Sequence, residues 1–126
     1  MFEIEETEVQ DEKVIRVFFS GELTRQLIFD FFDKMAEYEE KYPAYKQLVY
    51  FTDVSEVSLN LEDLKLIGKY MKENTNRRGK TAFITGDNIG HLNLARYFIE
   101  MVSFFRGGKL KAFKGEEQAI HWLYMA

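Results

Sequence analysis

Apolar and polar residues recur along this chain with two different periods, which together predict alternating strands and helices. The alternation of apolar with acidic residues over Phe2–Glu5 predicts an edge strand with one wet face, and Val14–Phe19 predicts its antiparallel neighbour. Leu48–Phe51 is a short, unbroken apolar run, which is typical of a central strand buried on both faces. Thr81–Thr85 and Leu110–Phe113 predict two further strands.

Helical spacing and capping residues predict four helices between and after these strands. Thr24 is placed to cap the first helix and Asn60 the second, and Asp63 strengthens the start of the second. A last helix is expected over Glu116–Leu123. The order is therefore β-β-α-β-α-β-α-β-α, an α/β domain with a mixed sheet whose later strands are parallel. After Phe51, the segment Asp53–Leu59 is expected to be a loop.

The third predicted helix, Ile89–Phe105, is polar along only one narrow strip, and Asp87 or Asn88 is placed to cap it. Wound at 3.6 residues per turn, its polar residues fall within about 80° of arc. These are Asn93, Arg96, Glu100 and Ser103. A surface helix needs an apolar stripe of roughly 100° to rest on its own core. A second apolar flank of this helix must therefore be buried against a neighbouring helix, a second copy of the chain, an apolar ligand or a membrane.

The flank residues of this helix are the candidates for contact with an apolar ligand or a membrane. They are Leu92, Tyr97, Ile99, Met101, Phe104 and Phe105. The basic residues Arg106, Lys109 and Lys111 follow with no acid among them, as expected of a collar facing an anionic membrane surface. Cations after a helix C-terminus also simply complement the helix dipole, so this alternative stays open.

Composition excludes several classes of function. The chain has 126 residues, which predicts one domain, and no Cys, which excludes disulfides and Cys-based zinc sites. Its net charge of -4 argues against nucleic-acid binding. His91 has Ala95, not a second ligand, at i+4, and His121 lies on another helix, so we expect neither metal nor cofactor. Without a signal peptide or an apolar run of ~20 residues, the chain is expected to be cytoplasmic.

Polar residues collect where the predicted parallel strands end, which is where ligands bind in open α/β sheets. That edge is expected to carry Asp53, Ser55 and Asp87. No Gly-x-Ser-x-Gly turn and no recognisable grouping of Ser, His and acid accompany them, so we expect these residues to contact a partner and the protein not to be an enzyme.

Several segments together resemble the STAS domains, which are named for sulfate transporters and anti-sigma factor antagonists. The segments are Val17–Thr24, the strand leading into Asp53–Val57, the turn Thr85–Asp87 and the ending Ala112–Leu123. Over nearly its whole length the chain looks most like the SpoIIAA-like (STAS/SEC14-like) group of small bacterial proteins. The resemblance implies the SpoIIAA-like fold and a binding function without catalysis.

The resemblance also bears on regulation. Anti-sigma factor antagonists carry a phosphorylatable serine at the start of the second helix, and the matching position here is Glu62. Ser55 and Ser58 lie nearby but do not match it. The resemblance thus implies a partner-binding surface of Asp53, Ser55, Ser58, Glu62 and Asp87 that lacks the usual switch.

Four functional hypotheses follow from the sequence. The leading one is a module that holds an apolar, lipid-like ligand, or touches the membrane peripherally, with its pocket between the Ile89–Phe105 helix and the aromatic first helix. SEC14-like domains of the same fold class hold an apolar ligand beneath a mobile helix. The alternatives are a protein-interaction domain of the anti-sigma antagonist type, simple packing of the wide helices or a homodimer, and an enzyme whose site the sequence does not reveal.

Overall fold

Strands and helices follow the predicted order in a computed structural model that describes residues 1–42, 45–74, 79–94, 96 and 110–125, apart from the side chains of Met71, Lys72 and Asn74. The strands are β1 (Phe2–Val9), β2 (Glu12–Thr24), β3 (Lys46–Ser58), β4 (Thr81–Ile84) and β5 (Leu110–Phe113). The helices are α1 (Arg25–Lys41), α2 (Leu61–Asn74), α3 (helical at residues 89–94 and 96) and α4 (Glu116–Leu123). The rest of the predicted third helix lies outside the described residues.

The strands form one five-stranded sheet in which spatial order equals chain order. β1 runs antiparallel to β2, and β2 to β5 are mutually parallel, as predicted. Val17 of β2 lies opposite Val49 of β3, which lies opposite Phe83 of β4. This register puts the apolar residues of three strands in one row across the sheet, because side chains alternate between the two faces.

Helices cover both faces of the sheet. On one face, α1 and α2 bury residues such as Phe19, Phe51 and Ile67, and on the other face α4 buries Leu48 and Trp122. Aromatic rings interlock on the first face, where the Phe19 and Phe31 centroids are 5.1 Å apart in an edge-to-face arrangement. The strands between the two layers are buried on both sides, which explains their unbroken apolar runs.

The outer flank of α1 is covered by α2. The rings of Phe32 and Tyr70 stack with centroids 5.0 Å apart, and Phe29 meets Tyr70 edge-to-face at 5.2 Å. Tyr70 therefore packs against the aromatic flank of α1, the helix that was predicted from the sequence to form one wall of a ligand pocket.

β3 is much longer than predicted, and the loop expected at Asp53–Leu59 is strand as far as Ser58. The loop prediction was wrong because β2 also continues to Thr24, so that Ser20 pairs with Asp53 and Thr24 with Ser58. Val54 is buried within this stretch and holds it to the core. The polar residues between the apolar ones hid the strand from a reading of local sequence.

A charged side chain inside strand β2 fastens α4 to the sheet. The Arg16 guanidinium donates to the Tyr50 phenol oxygen at 2.6 Å and pairs with the Glu116 carboxylate at the start of α4. Tyr50 in turn donates to Glu116 at 2.7 Å, and its ring stacks on Phe18 at 4.5 Å between centroids. Burial raises the pKa of the Tyr50 phenol above its ordinary value, and the Arg16 charge opposes that rise.

β1 and β2 are joined by a two-residue turn in which both residues have left-handed backbone. Val9 pairs with Glu12, and Gln10 and Asp11 have φ of 54° and 64°. Such angles at both positions mark the type I′ hairpin turn, which favours Asn-Gly because other residues are strained there.

Replacing Gln10 by Asn and Asp11 by Gly is expected to stabilise the protein by about 0.5–1 kcal/mol, because it relieves this strain. The melting temperature should rise by roughly 2–5 °C in a calorimetric scan. Glu12→Gly is the control, since Glu12 is a paired strand residue and glycine there should lower the melting temperature. An unchanged or lower melting temperature in the Asn-Gly variant would contradict the turn geometry.

The pKa of Glu6 on β1 lies below its ordinary value, chiefly because the Tyr42 phenol donates a hydrogen bond to its carboxylate at 2.9 Å. The Lys41 and Lys13 charges lower it further. A carboxyl group with a lowered pKa in the folded state stabilises the fold above its unfolded pKa, and this contribution is lost as pH falls through the folded pKa. The tie between β1 and the end of α1 is therefore expected to weaken only once the pH falls below the ordinary pKa of a glutamate side chain.

Tyr42→Phe should raise the Glu6 pKa towards its ordinary value, as measured by an NMR titration of the side-chain carboxyl carbon. Tyr124→Phe is the matched control, because it removes a phenol that donates to the Val9 carbonyl and not to Glu6. The assignment of cause fails if the two variants titrate alike.

Candidate partner-binding edge

The parallel strands end along one rim of the sheet, which we call the carboxyl edge. Its described residues are Ser20–Thr24, Asp53–Ser58, 85–89 and Lys114, together with the start of α2 at Leu61 and Glu62. β2 and β3 project furthest, because they continue to pair after β4 has ended at Ile84 opposite Tyr50. Two register shifts, after Phe18 and after Gly21, bend this pair.

The turn between β4 and α3 is hydrogen-bonded to the end of β5 and lies close to β3. Thr85 is buried and its N–H donates to the Phe113 carbonyl at 3.0 Å, and the Gly86 N–H donates to the Lys114 carbonyl at 3.1 Å. Gly86 has φ of +65°, and a Cβ there would lie 3.4 Å from the Thr52 methyl group. Glycine thus allows both the left-handed turn and the close approach to β3.

Asn88 is the cap of α3, since its Oδ1 accepts from the N–H of His91 at 3.0 Å. The sequence had left Asp87 and Asn88 as alternatives for this role. Asp87 is exposed.

A reciprocal pair of hydrogen bonds starts α2, as predicted. Asn60 Oδ1 accepts from the Asp63 N–H at 2.7 Å, and Asp63 Oδ2 accepts from the Asn60 N–H at 3.1 Å. Arg25 pairs with Asp63 at 3.3 Å, which ties the start of α1 to the start of α2. Glu62 lies between these residues, exposed in the first turn, where an acid favours the helix dipole.

All five residues predicted to contact a partner are exposed at this edge, namely Asp53, Ser55, Ser58, Glu62 and Asp87. Of the residues predicted to meet an apolar ligand or a membrane, Leu92 is half-buried and Lys111 is exposed. Lys111 shares the α4 face with Phe113, with its Nζ 5.5 Å from that ring, whereas Leu94 of α3 packs into the core of the other face. The remaining ones, Tyr97, Ile99, Met101, Phe104, Phe105, Arg106 and Lys109, lie outside the described residues.

The carboxyl edge also carries exposed apolar side chains that were not predicted from the sequence to belong to the site. Val57, Leu61 and Ile89 are 37%, 56% and 73% exposed. Leu61 and Ile89 each follow directly after a capping asparagine. An apolar residue directly after a capping asparagine is the sequence signal that could have revealed these side chains. The capped helix begins at the rim of the sheet, so its first residue lies there.

The charges around these apolar residues are mostly acidic. Exposed carboxylates come from Asp53, Glu56, Glu62 and Asp87, whereas the nearby Arg25 is already paired with Asp63. Lys114 is an exposed base at the end of β5. The edge therefore carries exposed apolar side chains together with more exposed acids than bases.

The described ranges were searched for metal-ligand groups and for membrane-spanning helices. No group of three or more His, Cys, Asp or Glu residues able to hold a metal occurs there. Nor does that part of the chain contain a helix both long and apolar enough to cross a membrane. His91 is buried in the first turn of α3, and His121 is exposed on α4.

A mixed five-stranded sheet with helices on both faces and its strand ends open to solvent is the architecture of the STAS-like class of α/β domains. The sequence model of the SpoIIAA-like family matches residues 14–124, and the chain belongs to that family. This confirms the resemblance and the fold class. Proteins of this family are generally non-enzymatic binding or interaction domains, which is the class of function that membership assigns.

The chain is also similar to the crystal structure of an uncharacterized protein of the DUF3478 family with a SpoIIAA-like fold, from Shewanella loihica. The TM-score is 0.64 at 22% sequence identity, and the match covers 97% of this chain and 93% of that one. This likeness concerns the fold. A search of curated proteins found no match.

Proposed function

We propose that the protein is a non-catalytic interaction module that docks a protein partner on its carboxyl edge. The observation that carries the proposal is the exposure of three apolar side chains, Val57, Leu61 and Ile89, at the same edge as several exposed carboxylates. Interfaces between proteins pair a small apolar centre with a polar rim. The carboxyl edge offers exposed side chains of both kinds, apolar and charged.

Hydrogen bonds and an ion pair hold the elements under this surface together. Both helix starts are capped by asparagine, and the Arg25–Asp63 pair joins α1 to α2. A preorganised surface loses little conformational entropy when it binds. This favours recognition of a partner by the edge as it stands.

The sign of the charge favours a protein over an anionic membrane. Asp53, Glu62 and Asp87 would be repelled by a negatively charged bilayer, which attracts clusters of Lys and Arg. A protein partner with basic groups at its rim would complement them.

Leu61→Asp and Ile89→Asp should each weaken docking without unfolding the protein, because an acid in the first helical turn is favourable to the helix. Loss of one buried apolar side chain costs about 1.5–3 kcal/mol, or roughly tenfold or more in affinity. The measurement is quantitative mass spectrometry of proteins captured by each variant from a lysate of the source cells, with circular dichroism to verify folding. Met125→Asp is the matched control, since Met125 is 52% exposed at the other end of the molecule.

The specific partner is the protein captured by the wild type and by Met125→Asp but lost with both edge variants. If every captured protein is retained equally by all four, the carboxyl edge is not the docking surface. Recovery of a second copy of this chain as that partner would identify the interaction as self-association.

The second candidate function is binding of an apolar ligand or peripheral association with a membrane through the 89–105 segment. The observations that favour it are the 73% exposure of Ile89 and the half-buried Leu92 in the described first turns of α3. The apolar flank of the sequence continues with Tyr97, Ile99, Met101, Phe104 and Phe105. Arg106, Lys109 and Lys111 would supply the attraction to anionic lipid.

Under this second function, the protein should sediment with vesicles containing phosphatidylglycerol more than with phosphatidylcholine vesicles. Arg106→Glu with Lys109→Glu should reduce sedimentation, because each basic residue near an anionic surface contributes about 1 kcal/mol. Lys65→Glu with Lys69→Glu, two exposed positions on α2, lowers the net charge by the same amount and is the control for a general effect of net charge. Absence of sedimentation, together with native mass spectra that show no retained small molecule, would exclude this function.

A further inference from the structure

The outer edge of β3 is open at Asp53–Ser58 in the part of the chain that the structure describes. β4 pairs with β3 only over Gln47–Tyr50, and Gly86 closes against Thr52 just beyond. Further along, the strand partner of β3 within the described residues is β2 alone. Successive strand residues direct their N–H and C=O groups to alternate sides, so about half of these backbone groups point away from β2.

This open edge is held firmly in an extended conformation. Leu23 is fully buried and lies opposite Val57, and Val54 is buried in the core. The other residues of the segment, Asp53 and Ser55–Ser58, are exposed. An incoming strand would therefore meet a template that needs no rearrangement before it pairs.

The negative charge of the open β3 edge determines which kind of strand can pair with that edge. Asp53 and Glu56 lie on the strand itself, and within the described residues neither forms an ion pair. Like charges directly opposite each other across two strands are destabilising. The same edge of a second copy is therefore disfavoured, whereas an extended segment that alternates basic and apolar residues is complementary in charge and in period.

The acidic edge of β1 differs in this respect. Glu6 and Glu8 of β1 are already close to Lys13, and Glu6 also pairs with Lys41 and Tyr42. Much of that negative charge is neutralised within the molecule. Asp53 and Glu56 are neutralised by no such pairing in the described part.

We propose that β3 binds a basic, extended segment of the protein partner as an added strand along Asp53–Ser58. The inference rests on the proposed function, that the carboxyl edge is a docking surface, and it names the chemistry of the partner. Backbone hydrogen bonds supply affinity, Asp53 and Glu56 select Lys or Arg, and Val57 contacts an apolar residue of the added strand.

The probe is a fluorescent peptide of alternating lysine and valine, about six residues long to match the open edge. A second peptide has the same sequence with alternate backbone nitrogens methylated. Methylation preserves the charge and the side chains but removes the N–H donors that pairing with a strand requires. Fluorescence anisotropy gives the affinities, and amide NMR spectra of the full-length protein show where the peptide binds. Glu56→Lys tests the charge of β3, and Glu3→Lys is its matched control on β1.

The expected result is binding of the plain peptide and affinity about tenfold or more lower for the methylated one. Glu56→Lys should weaken binding several-fold and Glu3→Lys should not. In the wild-type protein, the plain peptide should shift the amide signals of Asp53–Ser58 and slow their hydrogen exchange. Equal binding of both peptides, shifts confined to Phe2–Val9, or no binding of the plain peptide would overturn strand addition. If one of these occurs while Leu61→Asp still loses the captured partner, the docking edge stands and only strand addition fails.

Discussion

The parallel pairing of β2 with β3 is the constraint on which the rest of the structure depends. Both strands are central in the sheet, and their side chains, among them Ile15, Val17 and Leu48, are buried on alternate faces. One pairing thus provides the floor for α1 and α2 and, on the other side, for α4. Burying both faces of the same two strands is what lets a chain of this size support two helix layers.

The same pairing creates the candidate site. β2 and β3 are each 13 residues long, whereas β4 has only four, so the two long strands project past the rest of the sheet. Around that projection, two asparagine caps begin α2 and α3 and leave Leu61 and Ile89 exposed. A surface built from strand ends and capped helices is held by backbone hydrogen bonds, which suits it to recognition by shape and charge.

Membership of the SpoIIAA-like family gives the protein a functional class without a specific partner. The resemblance to anti-sigma factor antagonists predicts Glu62 at the position of their switch serine. The neighbouring residues Asn60 and Asp63 are engaged in the reciprocal cap of α2. That segment starts a helix and exposes the Glu62 side chain, which is not a residue that a serine kinase can phosphorylate.

Local sequence by itself determined the order of elements, the caps at Thr24 and Asn60, and the exposed positions of Asp53, Ser55 and Asp87, because each depends on neighbours in the chain or on strand ends. Tertiary structure decided the rest. The length of β3 required the matching extension of β2, the flank of α1 required Tyr70 from α2, and the charge of Arg16 inside a strand required Tyr50 and Glu116. Each of these joins residues far apart in the chain, and no local pattern of apolar and polar residues records which distant partner will satisfy a strand edge, a ring or a half-buried charge.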